Sequence, residues 1–128
     1  MSIERHGSGG PYEAAIGYSR TVRAGDHVHV AGCTAVGADG ELVGVGDPYA
    51  QARQACENVL AALELAGASA GDVVQTRMYV TDIGDWEAVG RAHAEAFGAA
   101  PPVSAMLQVS GLIDPRMLVE IEATAFVR

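Results

Sequence analysis

Five segments of this chain have the alternating or β-branched pattern that is typical of strands. They span 18–22, 27–31, 73–80, 103–110 and 119–127. The first two flank the turn Arg23-Ala24-Gly25-Asp26, whose glycine tolerates a positive φ angle, so they are predicted to form a hairpin. The glycine-rich stretch 32–46 is predicted to be a loop, with a short extended piece at Leu42-Val43.

Two further segments repeat apolar residues at helical spacing. The first begins at Asp47-Pro48, because the carboxylate can cap free amides and proline fits the first helical position. It is predicted to end near Gly67. Its apolar stripe consists of Ala52, Cys56, Val59, Leu60 and Leu63. The second follows Asp85 and closes at Gly98, before Pro101-Pro102. Its predicted buried side consists of Trp86, Val89, Ala92 or His93, Ala96 and Phe97.

The order of these elements is β-β-α-β-α-β-β. It predicts one α/β domain over residues 1–128, in which two helices cover one face of a mixed sheet. The other face is left with alternate polar residues from two strands, namely Gln75, Arg77, Glu120 and Glu122. A bare sheet face of mixed polarity indicates oligomerisation.

The charge of the chain argues against several classes of partner. Sixteen acidic and eight basic side chains give a net charge of −8, which repels nucleic acid and anionic lipid. The first residues lack the apolar core of a signal peptide, and no run approaches the ~20 apolar residues that span a bilayer. We therefore expect a cytoplasmic protein without a nucleic-acid or membrane partner.

Cysteine and histidine positions do not predict a metal site. Cys33 and Cys56 lack a metal-binding spacing and are expected to be free thiols. His27 and His29 share one strand face, but two ligands without a third are too few. We expect neither a metal nor a cofactor.

Several short motifs, taken in order, resemble the Rid family of reactive intermediate deaminases, formerly called endoribonuclease L-PSP. The matching segments are Ile16-Gly17-Tyr18-Ser19, Val30-Ala31-Gly32, Gln51-Ala52-Arg53-Gln54, Glu57-Asn58-Val59-Leu60, Ala66-Gly67-Ala68-Ser69, Asp72-Val73-Val74, Tyr79-Val80-Thr81-Asp82 and Val119-Glu120-Ile121-Glu122-Ala123-Thr124-Ala125. The resemblance runs from about residue 12 to the end of the chain. It implies a chorismate-mutase-like α/β fold, a homotrimer around a central barrel, and a small-molecule cleft at each subunit interface.

The resemblance also implies a reaction. Deaminating members hydrolyse an enamine or imine such as 2-aminoacrylate, and an arginine in a Pro-Ala-Arg-Ser motif binds the substrate carboxylate through two parallel donors. Here the motif reads Pro101-Pro102-Val103-Ser104, so Val103 replaces that arginine. We therefore expect chemistry on an imine, enamine or related carbonyl compound, but not standard 2-imino acid deamination.

The candidate site residues follow from the same resemblance. Glu120 matches the glutamate that orients or activates water, and burial can raise the pKa of such a base. The alternative is a strand glutamate that faces solvent or pairs with Arg77 across a subunit interface. Tyr18 matches a tyrosine of the family cleft, and Gly32 would let a ligand approach its backbone amide. Cys33 is expected to line the pocket rather than to act as a nucleophile.

The remaining candidates concern the ligand. Val103, Met106 and Cys33 would make the cleft more apolar than that of the deaminases. Arg20 and Arg91 are the guanidinium groups that would replace the lost arginine, although a solvated surface also explains them. Two functions stay open: hydrolysis or tautomerisation with Glu120 as base, and a non-catalytic binding or sensor trimer. Ribonuclease activity follows only from the older family name, and the acidic charge weighs against it.

Overall fold

The computed structural model describes residues 2–128. Its strands and α-helices are β1 (Ile3–His6), α1 (Glu13–Ile16), β2 (Thr21–Ala24), β3 (His27–Cys33), α2 (Pro48–Leu65), β4 (Val73–Val80), α3 (Trp86–Phe97), β5 (Val103–Gln108) and β6 (Val119–Phe126). Short 3₁₀ turns at Ala70–Asp72 and Ile83–Asp85 lead into β4 and α3. Among the described residues, no helix has both the length and the apolar character that crossing a bilayer requires.

The strands form one mixed sheet in the order β1-β2-β3-β6-β4-β5. Neighbouring strands are antiparallel, except that β4 and β5 are parallel and are joined through α3. The predicted hairpin is confirmed: Ala24 pairs with His27, and Gly25 adopts a φ of 63° in the turn between them. Leu42 also makes the expected short extended contact, through an isolated bridge to Val36.

Helices α2 and α3 pack beside each other on one face of the sheet. The cap of α2 is the predicted one, because Asp47 accepts a hydrogen bond of 3.1 Å from the amide of Ala50. The predicted stripe of α2 is buried, with Leu60 only partly so, and it packs against the inward residues of the central strands. These inward residues include Val28, Val30, Ile121, Ala123 and Ala125. Their burial leaves the alternate residues of β6 on the opposite face.

That opposite face carries the polar residues that the sequence pattern assigned to it. Arg77 of β4 pairs in register with Glu122 of β6, and Tyr79 pairs with Glu120. The guanidinium of Arg77 lies 3.5 Å from the Glu122 carboxylate, which also accepts a hydrogen bond of 2.6 Å from Tyr79. Arg77 therefore has Glu122, and not Glu120, as its acidic partner in this chain.

The N-terminal strand and the limits of the two predicted hairpin strands differ from expectation. Strand β1 was not predicted, because an exposed edge strand such as Ile3–His6 need not show apolar alternation. The strand predicted to begin at Tyr18 begins at Thr21, so Tyr18 lies in the segment before β2. Strand β3 continues two residues beyond its predicted end, to Cys33.

Trp86, which was predicted to be buried, is exposed. Val74 is also exposed, although it alternates with Gln75 and Arg77 and is therefore expected on the helix-covered face. Val74 is 49% exposed, because a register irregularity between Val73 and Gln75 shifts the phase of the strand. Trp86 is 57% exposed, since it is the first residue of α3 and the helix packs on the core through later turns. Those turns contribute Val89, Ala92 and Phe97, as predicted.

Candidate functional site

A cleft of about 910 Å³ lies along one side of the molecule. Its walls are the glycine-rich segment 8–12, the end of β3 and the loop that follows it, one face of α2, and the open face of β6. The cleft brings together four of the predicted site residues, which are Tyr18, Gly32, Cys33 and Glu120. Arg20 also lines it.

A bulge in β3 shapes the floor of this cleft. Val30 pairs with Ala123 of β6 and Cys33 pairs with Ile121, so two residues of β3, Ala31 and Gly32, lie opposite one residue of β6. Such a bulge breaks the ladder and turns the local backbone. In a regular ladder continued from Val30, Cys33 would pair with Glu120. The bulge instead pairs Cys33 with Ile121 and leaves Gly32 beside the side chain of Glu120.

Glu120 occupies the space directly over Gly32. A β-carbon at position 32 would lie 2.7 Å from both the carboxyl carbon and Oε2 of Glu120. Carbon atoms do not approach this closely without displacement. An alanine at position 32 would therefore displace the carboxyl group of Glu120 from its observed position, and this reason for glycine differs from the ligand approach that its sequence position suggested.

The carboxylate of Glu120 is free to act on a ligand. Within residues 2–128 it makes no hydrogen bond or ion pair, whereas its neighbour Glu122 is held by Tyr79 and Arg77. Burial raises the pKa of Glu120 above its ordinary value, the negative charge of Glu122 raises it further, and the nearby Arg20 partly opposes both. A half-buried carboxylate with a raised pKa is a suitable general base near neutral pH.

Arg20 is held by the backbone of the bulge. Its Nη1 donates hydrogen bonds to the carbonyl oxygens of Ala31 and Gly32, at 3.2 and 2.8 Å, and contacts the Cys33 sulfur at 3.4 Å. Its Nη2 donates to the hydroxyl of Tyr18 at 3.1 Å. The guanidinium thus links Tyr18 to the bulge, which positions both at the cleft wall.

Glu13, which the sequence analysis did not select, completes this arrangement. Its carboxylate is buried and lies 3.6 Å from Nε of Arg20. It also accepts hydrogen bonds from the amide and hydroxyl of Ser8 and from the amide of Gly10. Burial acts to raise the pKa of Glu13, but these hydrogen bonds and the charge of Arg20 outweigh it, so the pKa is lowered. No motif marks Glu13 as a site residue. Its partners Ser8 and Gly10 are close in sequence, but its contact with Arg20 at the cleft is seen only in the structure.

Cys33 lies in the cleft wall as a neutral thiol. Its side chain is buried, and burial raises its pKa to about 11, although Arg20 acts in the opposite direction. The thiolate is the nucleophilic form, so this thiol is unreactive at neutral pH.

The ring of Tyr18 lies beside the Arg20 guanidinium, whose Cζ is 5.4 Å from the ring centroid.

Two motif residues of α2 shape the cleft indirectly. Asn58 donates hydrogen bonds of 2.8 Å to the carbonyls of Thr34 and Val36, which holds the loop after β3 against the helix. Gln51, fully buried, donates to the carbonyls of Gly44 and Arg116 and accepts from the amide of Leu118. The family-like pattern in this helix therefore reflects hydrogen bonds that fix the surrounding loops.

Within the single chain, three predicted site residues lie outside this cleft. Arg91 projects from α3 over the ring of Tyr49, 4.2 Å from its centroid. Val103 is 66% exposed on the edge strand β5, and Met106 of the same strand packs against the core. In the part of the chain that is described, no three His, Cys, Asp or Glu residues are grouped to hold a metal ion.

Comparison with known proteins shows which family the chain resembles. The sequence model of the family described as endoribonuclease L-PSP matches residues 11–127. An uncharacterized protein of Streptomyces coelicolor is 42% identical over 125 residues, covering 98% of this chain and 92% of that relative. The 3-aminoacrylate deaminase RutC of Acinetobacter baylyi is 33% identical over 110 residues, covering 86% of each chain.

Solved structures show the same fold. A member of the YjgF/YER057c/UK114 family from Mycobacterium tuberculosis superimposes with a TM-score of 0.89 at 48% identity, covering 98% of this chain and all of that chain. The YjgF gene product of E. coli superimposes with a TM-score of 0.81 at 34% identity, covering 90% and 92%. The chain therefore belongs to the endoribonuclease L-PSP family, also called the YjgF, RutC or Rid family, and the resemblance seen in its sequence is confirmed.

Proposed function

We propose that this protein hydrolyses the C=N bond of a small imine, or of an enamine through its imine tautomer, with Glu120 as the general base. The observation that carries the proposal is the Glu120 carboxylate, which projects over Gly32 into the cleft and has a raised pKa. The name of the Acinetobacter relative, a 3-aminoacrylate deaminase, supports the same reaction class.

The proposed reaction begins with the protonated imine. Water attacks its carbon, a C–O bond forms, and the π electrons of the C=N bond move to nitrogen while Glu120 takes a proton from the water. The resulting carbinolamine receives this proton on nitrogen. The C–N bond then breaks with its electrons on nitrogen while an oxygen lone pair forms the C=O bond, and Glu120, ionised again, takes the hydroxyl proton. A carbonyl compound and ammonia or an amine are released, and the proton passes from Glu120 to the amine or to solvent.

Neighbouring groups would hold the ligand. The hydroxyl of Tyr18 accepts a hydrogen bond from Arg20, so its own hydrogen can be donated to a polar atom in the cleft. Cys33 contributes a buried neutral surface, consistent with pocket lining and not with covalent catalysis.

The proposal includes a homotrimer, as the family resemblance implies. Val103 and Leu107 are 66% and 45% exposed on the edge strand β5, which is the kind of surface that a second copy would cover. In such an assembly Val103 would reach the cleft of a neighbouring subunit, where deaminating members supply arginine. We therefore propose that 2-imino acids are poor substrates. Light scattering coupled to size exclusion tests the assembly, and a monomeric mass would contradict it.

The catalytic proposal is tested with imines generated in situ by flavin oxidases, with semicarbazide as the trap. The protein should lower the yield of trapped imine, and Glu120→Gln should lose that effect by about 100-fold or more, because a general base contributes roughly 10²–10⁴ in rate. Glu64→Gln is the matched control, since Glu64 is exposed on α2 and outside the cleft. If Glu120→Gln is as active as the control, the assignment of the base is wrong. Ligand binding without turnover of any imine would favour the non-catalytic binding trimer.

A further inference from the structure

We propose that the ligand of this cleft carries a net positive charge: an iminium ion or related cation with apolar substituents and without a carboxylate. This inference rests on the proposed function and narrows its substrate class. It goes beyond the loss of one arginine, because it concerns the charges that line the cleft in this chain.

The charged side chains that line the cleft are mostly acidic. Three charged side chains line the cleft, and they are Arg20, Glu120 and Glu122. Two of the three are acidic. When their ion-pair partners Glu13 and Arg77 are included, three carboxylates and two guanidinium groups leave an excess of one negative charge. Since field lines concentrate in a partly enclosed cleft, this excess of negative charge attracts cations and repels carboxylates.

The guanidinium of Arg20 has no free pair of parallel N–H groups to offer a carboxylate. A guanidinium binds a carboxylate strongly when two parallel N–H groups meet two oxygens. In Arg20, Nη1 is used by the carbonyls of Ala31 and Gly32, Nε faces Glu13, and Nη2 already donates to Tyr18. Two-pronged binding of an anion would therefore displace either the carbonyls of the bulge from Nη1 or the carboxylate of Glu13 from Nε. Arg20 is therefore a positioning residue, and the other candidate, Arg91, lies over Tyr49 on the helical side.

A cationic ligand would supply the charged partner that the Glu120 carboxylate lacks in the described part of the chain. Glu120 has no partner within residues 2–128, while Glu122 is held by Tyr79 and Arg77. A positive ligand beside Glu120 would stabilise its ionised form. The same carboxylate would thus bind the iminium nitrogen and, once ionised, accept the proton of the attacking water.

The apolar side chains that line the cleft indicate the chemistry of the rest of the ligand. Apolar side chains from three different parts of the chain line the cleft, including Ile16 of α1, Leu65 of α2, and Ile113 and Met117 of the loop before β6. Such walls suit alkyl or aryl substituents. No lining lysine offers a substitute for the missing carboxylate clamp, since the chain contains no lysine at all.

Binding of three probes with one ring tests the charge preference. Benzylammonium, benzyl alcohol and benzoate are titrated calorimetrically at pH 7.5 against the intact protein. We expect benzylammonium to bind about ten-fold or more tightly than benzoate, a difference of about 1.4 kcal/mol. Glu120→Gln and Glu122→Gln should each reduce this preference, with benzyl alcohol little affected, whereas Glu64→Gln should leave all three affinities unchanged. Benzoate binding as tightly as benzylammonium would overturn the inference.

A pair of imines that differ in one substituent separates this inference from the proposed function. Propan-2-imine, formed from isopropylamine, and 2-iminopropanoate, formed from alanine, differ by a methyl group in place of a carboxylate. We expect kcat/KM to be about ten-fold or more higher for propan-2-imine. Equal or faster hydrolysis of 2-iminopropanoate would overturn the cationic ligand and leave the hydrolase intact. Hydrolysis of neither imine, with the benzylammonium preference present, would overturn the hydrolase and leave the cationic ligand intact. Hydrolysis of neither, without that preference, would overturn both.

Discussion

The carboxyl group of Glu120 fills the space that any side chain at position 32 would need. A β-carbon on Gly32 would lie 2.7 Å from the carboxyl carbon of Glu120, and the bulge of β3 brings the two residues into this contact. The glycine and the carboxylate therefore form one structural feature, although they lie near opposite ends of the chain.

We predict that Gly32→Ala displaces the Glu120 carboxylate and lowers kcat/KM for imine hydrolysis by about ten-fold or more, because small errors in the position of a catalytic group are costly. Stability should change by less than about 1 kcal/mol, because the displaced atoms are the free end of a half-buried side chain. Steady-state kinetics and denaturant unfolding measure the two effects. Gly111→Ala is the control, since a β-carbon at Gly111 would contact nothing within 4 Å. Equal activity of both variants would show that Glu120 does not act from its observed position.

The charge of Glu122 should be visible in the pH dependence of the reaction. This charge raises the pKa of Glu120, so Glu122→Gln should lower it. A base is active only when ionised, and the acidic limb of log kcat/KM should therefore move to lower pH in this variant. Profiles of wild type, Glu122→Gln and Glu64→Gln between pH 4 and 8 provide the measurement. An unmoved limb in Glu122→Gln would exclude Glu120 as the group that titrates.

Alkylation should distinguish a wall residue from a nucleophile at Cys33. Burial raises the pKa of Cys33 to about 11 and that of Cys56 to about 12, and both side chains are buried. At pH 7.4 the folded protein should react with iodoacetamide at least about a hundred-fold more slowly than a free thiol. Mass spectrometry should find two labelled thiols after unfolding in guanidinium. Rapid labelling of Cys33 with loss of activity in the folded protein would contradict its assignment as an inert residue.

His93 should make the fold less stable in mild acid. Its Nε2 lies 2.8 Å from the hydroxyl of buried Thr76, and burial lowers its pKa below the ordinary value of 6.5. The neutral form is thus favoured in the folded state, so stability is fully present above about pH 6.5 and is lost as the pH falls toward the lower pKa of the folded protein.

The variant His93→Gln keeps a polar group near Thr76 and removes this titration. Its cost at pH 7.5 should be about 1–2 kcal/mol. Between pH 7.5 and 5.5 it should lose less stability than wild type in urea unfolding. If both proteins lose stability in parallel, the titration of His93 is not coupled to folding.

Much of the fold was predictable because it depends on local patterns. The Asp47-Pro48 start of α2, the alternation of β4 and the Gly25 turn are each set by a few neighbouring residues, and the structure shows all three. The exposed strand β1 and the irregularity at Val74 were not predictable in this way. An edge strand is stabilised by its partner, and a bulge depends on how two distant strands align.

Motifs and periodicity are properties of neighbouring residues, so the amino-acid order was enough to indicate the family and the order of the main elements. It also showed Glu120 in an otherwise apolar strand. The position of Glu120 over Gly32 and the contacts of Arg20 with Glu13 and two carbonyls became known from the folded chain. The same is true of the burial of Cys33 as a neutral thiol. These facts depend on which groups of distant segments share one small volume. The pKa of a carboxylate and the free donors of a guanidinium are set by those neighbours.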